Sequence, residues 1–142
     1  MTPFLRYWLP LIAYCAFIFL QSSGPAPVDL PRIPGLDKVL HAGGYGLLGI
    51  LFYRAYRSRW PNASGWATAN ASLISAALYG FTDELHQSFV PSRTADPWDW
   101  LADTFGALLG IAVYGVLLPL WSRRNARRSG PAQLTKRVGS DR

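Results

Sequence analysis

Residues 98–121 read WDWLADTFGALLGIAVYGVLLPLW, and this segment indicates the fold class most directly. Its two carboxylates, Asp99 and Asp103, lie near the start, and no Asp, Glu, Lys or Arg follows them as far as Trp121. A helix of about 20 predominantly apolar residues is long enough to cross the hydrocarbon core of a bilayer. The stretch therefore predicts a transmembrane helix that carries its acidic groups at one end.

Three earlier segments have a similar length and apolar content, over about 4–20, 37–56 and 66–87. Prolines, glycines and short polar turns separate the segments, and such residues end helices. Half of all residues are hydrophobic and only 15% are charged, against roughly 25% charged in an average soluble domain. The sequence thus predicts an all-α integral membrane bundle of four transmembrane helices, about 4–20, 37–56, 66–87 and 98–121, in one domain over 1–121.

The basic residues predict the orientation of the bundle. Seven of the fourteen Lys and Arg residues fall in the last twenty residues, so we expect 122–142 to be a disordered cytoplasmic tail that meets anionic lipid headgroups. With the N-terminus inside, eleven of the fourteen lie on the cytoplasmic side. Both termini are therefore predicted to be cytoplasmic. The basic residues are not interleaved through a folded surface, so we expect no nucleic-acid partner.

The first segment has an alternative interpretation as a cleavable signal peptide. Arg6 precedes its apolar stretch, and the small residues Ser22, Ser23 and Gly24 follow it. Its apolar core is long for a signal peptide and the cleavage pattern is poor, which favours a retained helix.

Polar residues gather at one end of three predicted helices. The predicted topology puts seven of the eight acidic residues and both histidines in the outer half of the protein. Charged groups within a bilayer are costly unless they are paired or hydrated, so we expect the polar stripes of these helices to face one another. The stripes are Asp37, His41 and Tyr45 on the second helix, Asp83, Glu84 and Gln87 on the third, and Asp96, Asp99 and Asp103 on the fourth.

A cluster of carboxylates holds a proton or binds a cation, because adjacent like charges cannot all ionise unpaired. No CxxC or HExxH spacing is present, so no cofactor is predicted, and a divalent metal bound by His41, Glu84 and Asp99 is kept as an alternative. The predicted polar or headgroup-binding cluster consists of Asp37, Lys38, His41, Tyr45, Glu84, Gln87, Arg93, Asp99 and Asp103.

Small residues line the second and fourth segments. Gly43, Gly44, Gly46 and Gly49 lie on the second, and residues 106–110 form a small-xxx-small pattern on the fourth. Such residues allow membrane helices to approach closely. We therefore interpret these glycines as packing residues and not as a phosphate-binding loop.

Three motifs give the chain a resemblance to a known family. They are DKVLHAGGYGLLG at 37–49, DELHQSFVPSR at 83–93 and DWLADTFGALLG at 99–110. With them, the chain resembles the VanZ-like family of bacterial membrane proteins from about residue 5 to 118. The founding member of that family is associated with low-level teicoplanin resistance. The chain departs from the family pattern at Asp103, where many members have Asn, and at Ser92, where Gly is common.

The resemblance implies a multi-pass protein of the bacterial cytoplasmic membrane, and three functions stay open. The first is binding of, or action on, a cell-envelope lipid, a lipid-linked precursor or an anionic headgroup at the outer leaflet, with a link to glycopeptide tolerance. In that hypothesis Arg93 and Lys38 hold the anion. The second is a lipid hydrolase or transferase that uses His41 or Glu84 as its base. The third is a structural polar network without chemistry. Whether the protein is an enzyme, and its oligomeric state, are left open.

Overall fold

The computed structural model describes residues 2–24, 35–91, 93–117 and 119–120, and every regular element in these ranges is helical. The all-helical class and the four helices are confirmed. The predicted tail at 122–142 lies outside the described residues. The elements are a π-helical turn Phe4–Trp8 that leads into α1 (Leu9–Ser23), then α2 (Leu36–Arg59), α3 (Gly65–Gln87) and α4 (Pro97–Ala112), which continues as a π-helical segment Val113–Leu117.

Local signals explain where the helices begin. The Ser64 side chain accepts a hydrogen bond from the Ala67 amide at 3.0 Å and so caps α3. At the start of α4, the Asp96 side chain accepts one from the Trp98 amide at 2.9 Å, and Pro97 occupies the first turn. Both arrangements satisfy an amide that has no partner within the helix.

Two helical segments are long and apolar enough to cross a membrane, Phe4–Ser23 and Pro97–Leu117. With 24 and 23 residues, α2 and α3 have sufficient length, but they are less apolar. Two of the four predicted spans are therefore found by length and composition.

Successive helices run in opposite directions. The end of α1 meets the end of α3, where the Ser23 hydroxyl lies 3.0 Å from His86 Nε2. The start of α2 meets the start of α4, where Lys38 donates a hydrogen bond to Asp99 at 2.5 Å. We call this end of the bundle the polar end; it comprises residues 18–24, 36–45, 80–91 and 93–103.

Aromatic side chains hold the opposite end together. The ring of Trp8 before α1 packs edge-on against Tyr56 of α2 with 6.1 Å between centroids, and the Tyr56 hydroxyl bonds the Ser75 hydroxyl of α3 at 2.7 Å. Tyr53 and Tyr114 form a second edge-on pair at 6.3 Å. This end therefore depends on aromatic packing, whereas all six acidic residues of the described ranges lie at the polar end.

Small residues make the closest backbone contact between α2 and α4. The interpretation as packing residues holds for Gly46 and Gly49, whereas it is wrong for Gly43, where a Cβ would meet nothing within 4 Å. A Cβ atom built on Gly106 would overlap the carbonyl oxygen of Ala42, and one built on Gly110 would overlap that of Gly46. A Cβ on Gly49 would lie 2.7 Å from the carbonyl oxygen of Ala107. The two backbones approach so closely only because these positions carry no side chain.

Candidate functional site

Lys38 is surrounded by carboxylates at the polar end. Its ammonium group lies 3.1 Å from Asp37, 2.7 Å from Asp96 and 2.5 Å from Asp99. The hydrogen bond from Lys38, together with that from the Trp98 amide, holds the pKa of the Asp96 carboxyl below its usual value. Lys38 therefore links the first turn of α2 to the start of α4.

His41 and Asp103 form a second link between α2 and α4. His41 Nδ1 lies 2.9 Å from Asp103 Oδ1, and His41 Nε2 lies 3.9 Å from Asp99 Oδ2. Asp103 is fully buried, and its second oxygen, Oδ2, has no hydrogen-bond partner among the described residues. Gly80 leaves room for this carboxylate, since a Cβ built there would lie 3.2 Å from Asp103 Oδ2.

Glu84 brings a second buried carboxylate from α3. Its Oε2 accepts a hydrogen bond from the Asp96 amide at 2.9 Å, while Oε1 is buried without a partner among the described residues. One donor atom each from His41, Glu84 and Asp103 lie within 4.8 Å of one another, a spacing that can hold a metal ion. The third member of this group is Asp103, whereas the sequence suggested Asp99, whose Oδ1 is bound by Lys38.

A cavity of about 510 Å³ lies beside this cluster, between α1, α2, α3, the connection that leads into α4, and the first turn of α4. Apolar side chains of α1 and α2, namely Phe17, Ile18 and Leu40, form part of its wall. In the polar part of the wall, Gln87 donates hydrogen bonds to Asp83 at 3.1 Å and to Ser22 at 3.4 Å. The cavity thus offers apolar and hydrogen-bonding surfaces to one occupant.

Arg93 lies at the edge of the cavity and also holds the end of α1. Its Nε donates to the Gly24 carbonyl at 3.1 Å and its Nη2 to the Gln21 carbonyl at 2.8 Å. Carbonyls in the last turn of a helix have no partner within the helix. Arg93 therefore satisfies the C-terminus of α1 from the connection between α3 and α4.

The polar end carries a negative charge. Among the described residues it holds six carboxylates and two cations, Lys38 and Arg93, so its formal charge is −4 with both histidines neutral. Three of the carboxylates are already taken up around Lys38. The remaining buried carboxylates lie in an environment that favours a proton or a bound cation.

All nine residues predicted from the sequence lie at the polar end. Six of them line the cavity, and the other three, Lys38, Glu84 and Asp103, lie outside its lining. The Tyr45 ring is buried in the cavity wall, and its hydroxyl, near Asp83, makes no hydrogen bond of normal geometry. The six lining residues are Asp37, His41, Tyr45, Gln87, Arg93 and Asp99.

Asp83, Ser22 and Asp96 are among the residues at the polar end that were absent from the predicted cluster. Asp83 is buried and accepts the Gln87 hydrogen bond, and Ser22 accepts the other one. Asp96 binds Lys38 and caps α4. The spacing of Asp83 from Gln87 and the Asp96-Pro97 pair are signals in the sequence, whereas nothing in the sequence alone pairs Ser22 of α1 with α3.

Comparison with known protein families matches residues 7–118 to the VanZ/LLP1 family. No curated protein matches the chain, and no solved structure matches it.

Proposed function

This chain belongs to the VanZ/LLP1 family, and on that premise we propose that it is a multi-pass protein of the bacterial cytoplasmic membrane that binds the headgroup of a cell-envelope lipid or lipid-linked precursor. The observation that carries the proposal is the cavity at the polar end, which combines an apolar wall with fixed hydrogen-bonding groups. Ligand cavities in proteins have this composition and a size of roughly 300–1,000 Å³.

Length and exposed apolar surface support four membrane spans. At about 1.5 Å per residue, the 24 residues of α2 and the 23 of α3 exceed the roughly 30 Å of hydrocarbon in a bilayer. Large apolar side chains stand exposed on both helices, among them Val39 at 66% and Ile74 at 59%. An exposed apolar surface of this kind fits contact with lipid.

The distribution of positive charge supports an outer-leaflet location for the site. Arg54, Arg57 and Arg59 lie at the end of α2 that is opposite the polar end. Positive residues in short connections favour the cytoplasmic side of a membrane. We therefore place the polar end at the outer leaflet and both termini in the cytoplasm.

The charges around the cavity narrow the class of headgroup. Lys38 does not line the cavity and is surrounded by carboxylates, so Arg93 supplies the cationic contact. The lining also contains three carboxylates, Asp37, Asp83 and Asp99. A zwitterionic headgroup matches this pattern better than a purely anionic one, because Arg93 can bind its phosphate while the carboxylates bind its ammonium group.

Two adjacent glycines of α2 allow a matched test of lipid binding. Gly44 lines the cavity, whereas a Cβ on Gly43 meets nothing within 4 Å. The protein is extracted from nanodiscs of equal phosphatidylethanolamine and phosphatidylglycerol, and retained lipid is measured by native mass spectrometry. We expect the wild type to retain mainly phosphatidylethanolamine, Gly44→Leu to lose most of it, and Gly43→Leu to keep it. Thermal melting of each protein verifies folding.

Equal retention by the wild type and a folded Gly44→Leu variant would contradict cavity binding. Preferential retention of phosphatidylglycerol would instead favour an anionic headgroup, which is one of the ligand classes predicted from the sequence. For the physiological part of the proposal, a strain that lacks the gene should show altered envelope lipids or reduced glycopeptide tolerance. Unchanged lipids and unchanged tolerance would count against it.

A lipid hydrolase or transferase is a second candidate function, and the geometry of His41 favours it. His41 lines the cavity, and its Nδ1 lies 2.9 Å from Oδ1 of the buried Asp103. A carboxylate in this position orients an imidazole that acts as a base. Purified protein in nanodiscs would then convert lipid over time, and His41→Gln would abolish the conversion. Lipid that stays intact with the wild type would leave binding as the function.

A further inference from the structure

We propose that His41, Glu84 and Asp103 form a binding site for one divalent metal ion of the Mn²⁺ or Zn²⁺ type. The three side chains come from α2, α3 and α4, and one donor atom from each lies within 4.8 Å of the others. Ligands around one such ion lie about 3.4 Å apart at metal–ligand distances of about 2.1 Å. Small rotations of the side chains would bring the three donor atoms to this separation.

Two buried oxygens without hydrogen-bond partners support this proposal independently of the clustering. Asp103 is 0% exposed and Glu84 is 6% exposed, and Asp103 Oδ2 and Glu84 Oε1 have no hydrogen-bond partner among the described residues. A buried polar atom without a partner costs free energy, and more when it is charged. A cation bound by both carboxylates removes that cost.

The nearby basic side chains do not neutralise Glu84 and Asp103. Lys38 is bound to Asp37, Asp96 and Asp99, and within the described ranges no Lys or Arg forms an ion pair with Glu84 or Asp103. His41 contacts Asp103 through one nitrogen only. The cluster therefore has more negative charge than its protein partners neutralise.

The donor set selects the type of metal. One imidazole nitrogen and two carboxylate oxygens suit Zn²⁺ and Mn²⁺, whereas Ca²⁺ and Mg²⁺ prefer oxygen ligands alone. Three protein ligands also leave a coordination position for water or for an oxygen of a ligand. Since His41 lines the cavity, the metal site lies beside the proposed headgroup site. The metal site itself does not depend on lipid binding.

The test measures metal binding by purified, chelator-treated protein in lipid-free detergent. Equilibrium dialysis against Mn²⁺ or Zn²⁺, followed by elemental analysis, gives stoichiometry and affinity, and the absorption spectrum of bound Co²⁺ reports the ligand geometry. We expect one ion per chain, weaker binding of Mg²⁺, and an affinity loss of about tenfold or more in Glu84→Gln and Asp103→Asn.

Asp96→Asn is the matched control, because it removes one charge from the same end and Asn still caps a helix. Its affinity should stay within about threefold of the wild type, since Asp96 offers no ligand to the site. An equal loss in Asp96→Asn and Glu84→Gln would show general charge attraction and overturn the site, as would a wild type that binds no ion.

If Glu84→Gln does not fold, Glu84→Asp takes its place. The shortened side chain should change the Co²⁺ spectrum, and an unchanged spectrum in folded protein would contradict ligation by Glu84. Lipid retention is measured separately with chelator present. Failure of lipid binding and failure of metal binding are therefore distinguishable.

Discussion

α2 and α4 contact each other in two different ways along their length. From Ala42 onwards, the contact with the glycines at 106 and 110 is made by backbone atoms against backbone atoms. Closer to the start of both helices, charged side chains make the contact, with Lys38 bound to Asp99 and His41 bound to Asp103. The contact between α2 and α4 therefore consists of backbone atoms in one part and of charged side chains in the other.

The two parts of this contact respond to different changes. The small-residue part depends on the absence of atoms, so any added carbon must push the backbones apart. The charged part depends on a balance of partners, so it tolerates changes in size but not the loss of one member. Substitutions in each part therefore test whether the two parts differ in what limits their stability.

The largest effect is expected in the small-residue part. In Gly106→Ala the new Cβ overlaps the carbonyl of Ala42, so α2 and α4 must separate. We expect a loss of about 3 kcal/mol in unfolding free energy, at the upper end for overpacked cores. Denaturant unfolding in detergent micelles, followed by circular dichroism, measures it.

Gly43→Ala is the control for this prediction. The position lies on α2 and a Cβ there has nothing within 4 Å. We expect no loss, and up to about 1 kcal/mol of gain, because Ala favours helix more than Gly does. If both variants unfolded alike, the close approach of α2 and α4 would not limit stability.

A smaller effect is expected in the charged part. Lys38→Met keeps the length of the side chain but leaves three carboxylates without their shared cation. Because Lys38 is 34% exposed, water screens part of this loss, and we expect about 1–2 kcal/mol of destabilisation. The same unfolding experiment measures it.

A second substitution tests whether Lys38 and Asp99 stabilise each other. Asp99→Asn in the Lys38→Met background removes one of the stranded charges, so the double variant should recover part of the lost stability. Additive losses would mean that Lys38 and Asp99 do not stabilise each other, despite the 2.5 Å between them.

The small-residue part of the contact was predictable from the sequence. Gly46, Gly49 and residues 106–110 recur at helical spacing inside apolar segments, and only close packing explains so many missing side chains there. The four helices were predictable for a similar reason, since length, apolar content and prolines depend on local sequence alone. For α2 and α3, membrane crossing was a weaker prediction, because their polar residues lower the apolar content on which it depends.

For the charged part, the sequence predicted where the charged residues gather but not which of them form pairs. Helical spacing predicted that the stripes of α2, α3 and α4 would meet, and all nine predicted residues lie at the polar end. Which carboxylate binds Lys38 depends on the depth and rotation of each helix, which spacing does not fix. For that reason Asp103, and not Asp99, joins His41 and Glu84, and the bonds from Arg93 to α1 were not foreseen.

The smallest effect is expected from a change of pH. It acts on the charged part of the contact between α2 and α4, through the titration of Asp96. Lys38 lowers the pKa of Asp96 in the folded protein, so Asp96 stabilises the fold above its unfolded pKa of about 3.9. That stabilisation is lost as pH falls through the lower folded pKa. Asp96→Asn removes the titrating group while keeping the helix cap. Thermal melting from pH 7 to pH 3 should therefore show a smaller decline in Asp96→Asn than in the wild type. Parallel declines would mean that Asp96 adds nothing to the contact, so that the link from Lys38 to α4 depends on Asp99 alone.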